Sequence, residues 1–336
     1  MTSLKVLFIG GTGVISSACA QRAVDLGIDL YVLNRKQTST RPLPAGAHVL
    51  QGDIRDAASA RKAIGSQDFD VVVDFVAFTP EHVQTDIDLF TDRTGQYVFI
   101  SSASAYQTPP RRQPIIESSP LRNPIWSYSQ AKIACEELLV KAYREDGFPA
   151  TIVRPAHTYD RTSIPLEGKW TTIDRMRRGK EVVVHGDGSS LWTLTHHRDF
   201  AHAFVGLLGN SRAVGDSFHI TSDDALTWDQ IYSIMADAAG VQANIVHVAS
   251  DTIAAVEPSW GPPLLGDKTH CLTFDNSKVR DLVPDFVASI PFEQGAREII
   301  DWYDADPARR QVDADTDRIF DQLVTFATSP QLSVLT

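Results

Sequence analysis

Tyr128 and Lys132 stand four residues apart in Ser127-Tyr128-Ser129-Gln130-Ala131-Lys132, which opens a segment running to Asp146. Ala131, Cys135, Leu138, Leu139 and Ala142 recur there at helical spacing, so the phenol and the ammonium lie one turn apart on one face. A phenol of pKa ~10 is a poor base at neutral pH, but a fixed cation beside it favours the phenolate and lowers that value. The pair therefore reads as a proton relay. A second group of hydroxyls, Ser101, Ser102 and Ser104, follows the apolar run Tyr97-Val98-Phe99-Ile100. If that run is a strand, its end faces the Tyr128 helix.

These groups need elements to position them, and the chain supplies strands alternating with helices. Leu4 to Ile9 is an apolar strand running into Gly10-Gly11-Thr12-Gly13-Val14-Ile15-Ser16, after which Ser17 to Leu26 reads as a helix ending at Gly27. Glycines between a buried strand and a helix let the backbone turn tightly and approach a pyrophosphate, whose charge then sits on unpaired helix amides. The second strand, Leu30 to Leu33, ends in Asn34-Arg35-Lys36. An acid there would accept from a ribose 2′-hydroxyl, whereas an arginine accommodates a 2′-phosphate. Arg35, with Lys36, favours NADP, and NAD is the alternative. His48 to Gln51 is a third strand, and in Gly52-Asp53-Ile54-Arg55 the Asp53 carboxylate either reaches the adenine amino group or caps a helix. Val71 to Val76, Tyr97 to Ile100 and Thr151 to Arg154 complete the strands, with a helix over Pro80 to Phe90. The expected fold is α/β, a Rossmann-type doubly wound parallel sheet, with ligands beyond the carboxyl ends of the strands.

Composition limits the partners. With 31 Lys and Arg against 42 acids, the formal charge is -11 and no dense basic run is present. Nucleic acid and anionic membranes are not expected partners. Cys19, Cys135 and Cys271 are odd in number, far apart and without a Cys-x-x-Cys spacing, which fits a reduced, cytoplasmic setting and no zinc site. The first apolar run is too short to span a bilayer. His196 and His197, as neighbours on a strand, would point to opposite faces and not share a metal. His157 reads as a packing residue.

Residues 1–160 are expected to form the dinucleotide-binding domain, with about 195–220 returning to it, and 161–336 to form mainly a smaller C-terminal α/β substrate lobe. Closing elements include a helix after His196-His197-Arg198-Asp199 over Phe200 to Leu208. A capped helix starts at Thr227, and two more run over Phe292 to Tyr303 and Thr316 to Thr328.

Taken together, the Gly10 to Ser16 loop, Gly52-Asp53, Ser101-Ser102-x-x-x-Tyr106, Tyr128-x-x-x-Lys132, Ile152-Val153-Arg154-Pro155 and His196-x-x-Asp199 resemble the extended short-chain dehydrogenase/reductases, the NAD-dependent epimerase/dehydratase family. The resemblance implies Ser102, Tyr128 and Lys132 as the catalytic set, with Ser104 auxiliary. It implies cofactor contacts at Gly10, Gly13, Val14, Ile15, Asn34, Arg35, Asp53, Ile54, Ala77, Lys132 and Pro155. It also implies hydride transfer at a hydroxyl or ketone of a sugar-like or other polar small molecule, and a two-fold dimer through the helices at Pro80 and Tyr128. One departure concerns substrate. The epimerases carry a diphosphate-clamping arginine four residues before the histidine of His-x-x-Asp, where this chain has Trp192, and Gly261 to Lys268 offers only a lysine. The leading expectation is thus an NADP-dependent oxidoreductase. A nucleotide-sugar epimerase or dehydratase is the second reading. The third is a non-catalytic nucleotide-sensing or RNA-associated protein, since Asn34-Arg35 and Asp74 to Pro80 look like a bacterial and plastid branch with RNA-associated members.

Overall fold

The computed structural model describes residues 3–35 and 40–329, so Lys36 lies outside the described residues. The first half lays down β1 (Lys5–Ile9), α1 (Val14–Asp25), β2 (Asp29–Asn34), β3 (His48–Gln51), α2 (Ala57–Ile64), β4 (Phe69–Asp74), α3 (Pro80–Phe90), β5 (Thr94–Ile100), α4 (Ser127–Asp146) and β6 (Ala150–Pro155). After β7 (His157–Tyr159), α5 (Trp170–Arg177), β8 (Glu181–His185), β9 (Leu191–Trp192), β10 (Leu194–His196) and α6 (His197–Leu207), β11 (Ser217–Ile220) returns to the first sheet. That sheet has seven strands in the order β11-β6-β5-β4-β1-β2-β3, all parallel. The chain order reverses between β1 and β4, which opens a crevice at their carboxyl ends.

Burial explains the layering. Val6, Phe8, Val71, Val73 and Val98 pack on α1 and α6, while Leu7, Ile9, Val72, Tyr97 and Phe99 point to the other face and pack on α2, α3 and α4. Strands covered on both faces read as unbroken apolar runs, as these do. The smaller lobe has its own core around Trp170, Ile173, Trp192, Trp228 and Phe292. Within it β8 pairs with β12 (Asn244–Val248), and β9 with a two-residue strand at Leu226–Thr227. No described helix is long and apolar enough to cross a membrane.

Several boundaries differ from the sequence expectation, and three of them for a local reason in side-chain hydrogen bonds. The first helix starts at Val14, not Ser17, because extended Gly13 forms its N-cap and donates its N–H to Ser16 Oγ at 2.8 Å. β4 stops at Asp74 instead of reaching Val76, because the Asp74 carboxylate accepts from the N–H groups of Val76 and Ala77 and turns the chain. α6 begins at His197, not Phe200, since His196 Nδ1 caps it by accepting from Arg198 N–H at 3.3 Å. In Gly52 to Arg55, Asp53 is not the cap of the next helix: Asp56 caps α2, accepting from Ala58 and Ser59.

Candidate active site

α4 buries Ser129, Lys132, Cys135, Glu136, Leu139 and Ala142, a stripe at helical spacing that contains two ionisable groups. Both are satisfied. Lys132 Nζ donates to Ala77 O and Ile100 O, each at 2.7 Å, tying α4 to the carboxyl ends of β4 and β5. Glu136, one turn on, accepts from Arg154 Nη2 at 2.5 Å and from Ser101 Oγ at 2.5 Å, which ties the same helix to β6 and β5. Arg154 Nη1 also donates to the Tyr106 hydroxyl at 3.1 Å. The helix end is set by Gly147, in the left-handed conformation at φ 71°, whose N–H returns to Ala142 O. Two buried charged anchors thus fix the start of α4, and with it Tyr128, against the sheet.

Ser102, Tyr128 and Lys132 come together as the spacing predicts. The Ser102 hydroxyl neighbours the Tyr128 phenol and lies 2.9 Å from Ser104 Oγ, which accepts from Ser129 Oγ at 2.7 Å. The electrostatics depart from expectation. Burial pushes the Tyr128 phenol above its ordinary value; the neighbouring Ser102 hydroxyl opposes this and the nearby Asp267 carboxylate adds to it. Lys132 sits 5.8 Å from the Tyr128 ring centroid and spends two of its three donors on carbonyls, while burial pulls it down to about 8. Desolvation therefore outweighs the expected lowering of the phenol by the ammonium.

Ser102, Ser104, Tyr128 and Pro155 line a cavity of about 310 Å³ with Trp126, His157, Trp192, Asp267, Leu272 and Phe274. A second cavity, about 370 Å³, runs over the β1, β2 and β4 ends and is lined by Gly10, Thr12, Asn34, Arg35, Asp53, Ile54, Phe78 and His82. The larger concavity, about 650 Å³, lies around Leu4, Asp68 and Gly209 at the opposite edge of the strands, away from the crevice and from every group named above.

The second cavity fits a dinucleotide. Gly10 adopts φ +80°, and a Cβ there would come 2.9 Å from Val76 Cγ1, so only glycine allows the backbone to lie this close. Behind it α1 presents the first-turn amides of Val14 and Ile15 with no side-chain cap from Gly13, a cradle suited to a pyrophosphate. Asp53 Oδ1 accepts from Arg55 N–H at 2.9 Å while its residue faces the cavity. Ala77 contributes its carbonyl to Lys132, and exposed Arg35 stands at the cavity rim.

The groups considered for phosphate or metal are otherwise engaged. Trp192 is buried in the lobe core, 5.4 Å from Trp228 ring to ring. Lys268 Nζ is bonded to Glu167 at 3.0 Å. His196 approaches Glu298 at 3.3 Å, and among the described residues no group of three or more metal-ligating side chains is present. His157, expected to be packing, instead borders the first cavity against Trp192, with burial pulling its imidazole down to about 3, so it is neutral. Trp126, Asp267, Leu272 and Phe274 were missed from sequence. The one available signal was an acid inside the otherwise uncharged run Gly261 to Gly266 and its flank.

Compared with known proteins, residues 6–221 match the model of the NAD dependent epimerase/dehydratase family. The chain is similar to the chloroplast stem-loop binding protein of 41 kDa b of Arabidopsis thaliana, 25% identical over 72% of this chain and 65% of that one. It is similar to a UDP-glucose 4-epimerase of Lactobacillus helveticus, 31% identical over 45% and 51%. It is also similar to the 2'-dehydrokanamycin reductase of Streptomyces kanamyceticus, 25% identical over 75% and 71%. The matches thus span about half to two thirds of the first two relatives. In fold it is similar to an epimerase of Methanothermobacter thermautotrophicus, with TM-score 0.74, 16% identity, and coverage of 92% and 94%.

Proposed function

This chain belongs to the NAD-dependent epimerase/dehydratase family, and from that premise we propose that it is a nicotinamide-dependent oxidoreductase acting on a ketone or secondary alcohol of a compact polar molecule. The observation that carries this is that Ser102 and Tyr128 line one cavity whose lining contains no arginine, with Lys132 one helical turn on, 5.8 Å from the Tyr128 ring centroid. A bound nicotinamide supplies or accepts the hydride. Tyr128 gives its phenolic proton to the substrate oxygen as the carbonyl carbon gains hydride, so that a ketone, a hydride and a proton become an alcohol. Ser102 donates a hydrogen bond to the same oxygen, where charge develops. Lys132 holds the β4 and β5 carbonyls in place and keeps one donor for a ribose hydroxyl. Gly10, Gly13, Val14 and Ile15 would cradle the pyrophosphate, Asp53 and Ile54 the adenine, and Ala77 and Pro155 would border the nicotinamide. A nucleotide-sugar diphosphate would need a guanidinium clamp, and a net charge of -11 disfavours RNA. Three cysteines without a disulfide are consistent with the cytoplasm. Incubation of the protein with NADPH and a panel of polar ketones tests the reading: loss of NADPH absorbance with product alcohol is expected. Isomerised product with no cofactor consumed would mean epimerisation instead.

NADP is the proposed cofactor, with NAD the alternative. A bidentate Arg35 contact to the 2′-phosphate is worth ~1.5–3 kcal/mol before screening on an exposed loop, so several-fold to tens-fold tighter NADPH binding is expected. Calorimetric titration of both cofactors should show that preference, and Arg35→Ala should erase it.

A two-fold dimer is part of the same proposal. α3 and α4 lie side by side, and α4 leaves Val140 and Tyr143 exposed. Light scattering should give twice the chain mass at micromolar concentration; a monomer there would count against it.

A further inference from the structure

The turn Leu264–Lys268 is a short π-helical segment held tightly on both sides of one acid. Asn123 Nδ2 donates to Gly266 O at 2.8 Å, and a Cβ on Gly266 would come 3.0 Å from Trp126 Cβ, so this backbone is pressed against the start of α4. On the other side, Lys268 O accepts from His185 Nε2 and Trp228 Nε1, both at 3.1 Å. Between these pinned carbonyls Asp267 opens onto the cavity it shares with Tyr128. Its carboxylate has no hydrogen-bond or ion-pair partner among the described residues. Its neighbour Lys268 is bonded to Glu167, and neutral His157 offers no charge. The carboxylate is thus held on a pinned turn, half-buried and without a direct partner, and Lys268, which lines the same cavity, offsets its charge only through space. Burial raises it to about 7, and the Lys268 charge opposes that rise.

The same cavity is lined by Trp126, Trp192 and Phe274, side chains of the kind that pack on a cation or on the apolar face of a polyol. We propose that the substrate carries a protonated amine, which pairs with Asp267 while its carbonyl or hydroxyl lies at Tyr128 and Ser102. This deepens the oxidoreductase reading and rests on it.

Binding, read without turnover, tests the inference. The full chain saturated with NADP is titrated calorimetrically with matched pairs on six-membered polyols: glucosamine against N-acetylglucosamine, galactosamine against N-acetylgalactosamine, and an aminocyclitol against its N-acetyl derivative. At least one amine should bind about ten- to a hundred-fold tighter than its acetylated partner, the range of a charge-assisted bond. Asp267→Asn should remove the preference, and NADP affinity measured on the same variant reports whether its fold is kept. If that variant does not fold, the wild-type amine and acetyl comparison still decides. No amine binding better than its partner, or a preference that survives Asp267→Asn, overturns the proposal. Failure of hydride transfer is read separately: turnover with neutral ketones and no amine preference would sink only this inference. Amine binding without any cofactor-linked turnover would sink the oxidoreductase reading.

Discussion

Replacing Tyr128 with Phe should lower turnover by at least ~100-fold while leaving cofactor affinity and fold intact, the usual scale for losing a general acid or base. The phenol lines the cavity beside Ser102, and burial keeps it protonated at neutral pH. It is therefore poised to donate a proton as a ketone is reduced. Phenylalanine keeps the ring that packs 4.9 Å from Trp126 and 6.5 Å from Phe78, so packing changes little and the proton alone is lost. Steady-state kinetics with the wild type's substrate decide: kcat should fall with cofactor binding unchanged. Near-normal kcat would mean that another group or water protonates the product and that Tyr128 only shapes the cavity.

Truncating Arg154 to Ala should produce the largest loss of stability. Arg154 and Glu136 are both buried, with side chains 6% and 3% exposed, and their contact ties α4 to β6. Removing the guanidinium leaves the Glu136 carboxylate with Ser101 as its only other bonded partner among the described residues, in a place water does not reach. Breaking such a pair costs about 3–5 kcal/mol, which for a chain of 336 residues lowers Tm by roughly 4–7 °C. Because Lys132 and Tyr128 sit on the same helix, activity should fall with it. Thermal unfolding monitored by circular dichroism reads the first effect. Adding Glu136→Leu to the variant should restore part of the loss, since the orphaned charge goes with its partner. An unchanged Tm, or a double variant that loses the sum of both singles, would mean that the pair is solvated and α4 is held by its apolar stripe alone.

Local pattern carried the doubly wound sheet because its strands are apolar on both faces and its helices on one, a distinction written in period and length. It also carried Tyr128 and Lys132, which lie one helical turn apart, and a group of serines at a strand end on the same side of the sheet; the choice of Ser102 among them is what the family resemblance implies. Where side chains reach back to the chain's own amides, as at Asp74, Ser16 and His196, the element boundaries moved. Periodicity contains no information about such bonds.

What tertiary structure alone decided is electrostatic. The sequence places an ammonium beside a phenol and predicts a lowered pKa; packing buries both and directs the ammonium to Ala77 O and Ile100 O, so the phenol rises instead. Asp267 and Tyr128 are far apart in the chain, and only the docking of the Leu264–Lys268 turn on Asn123 and Trp126 sets them around one cavity. Residue types and spacing fix which proton-transfer groups are available. Desolvation, which depends on everything packed around a group in three dimensions, fixes which protonation state each group holds.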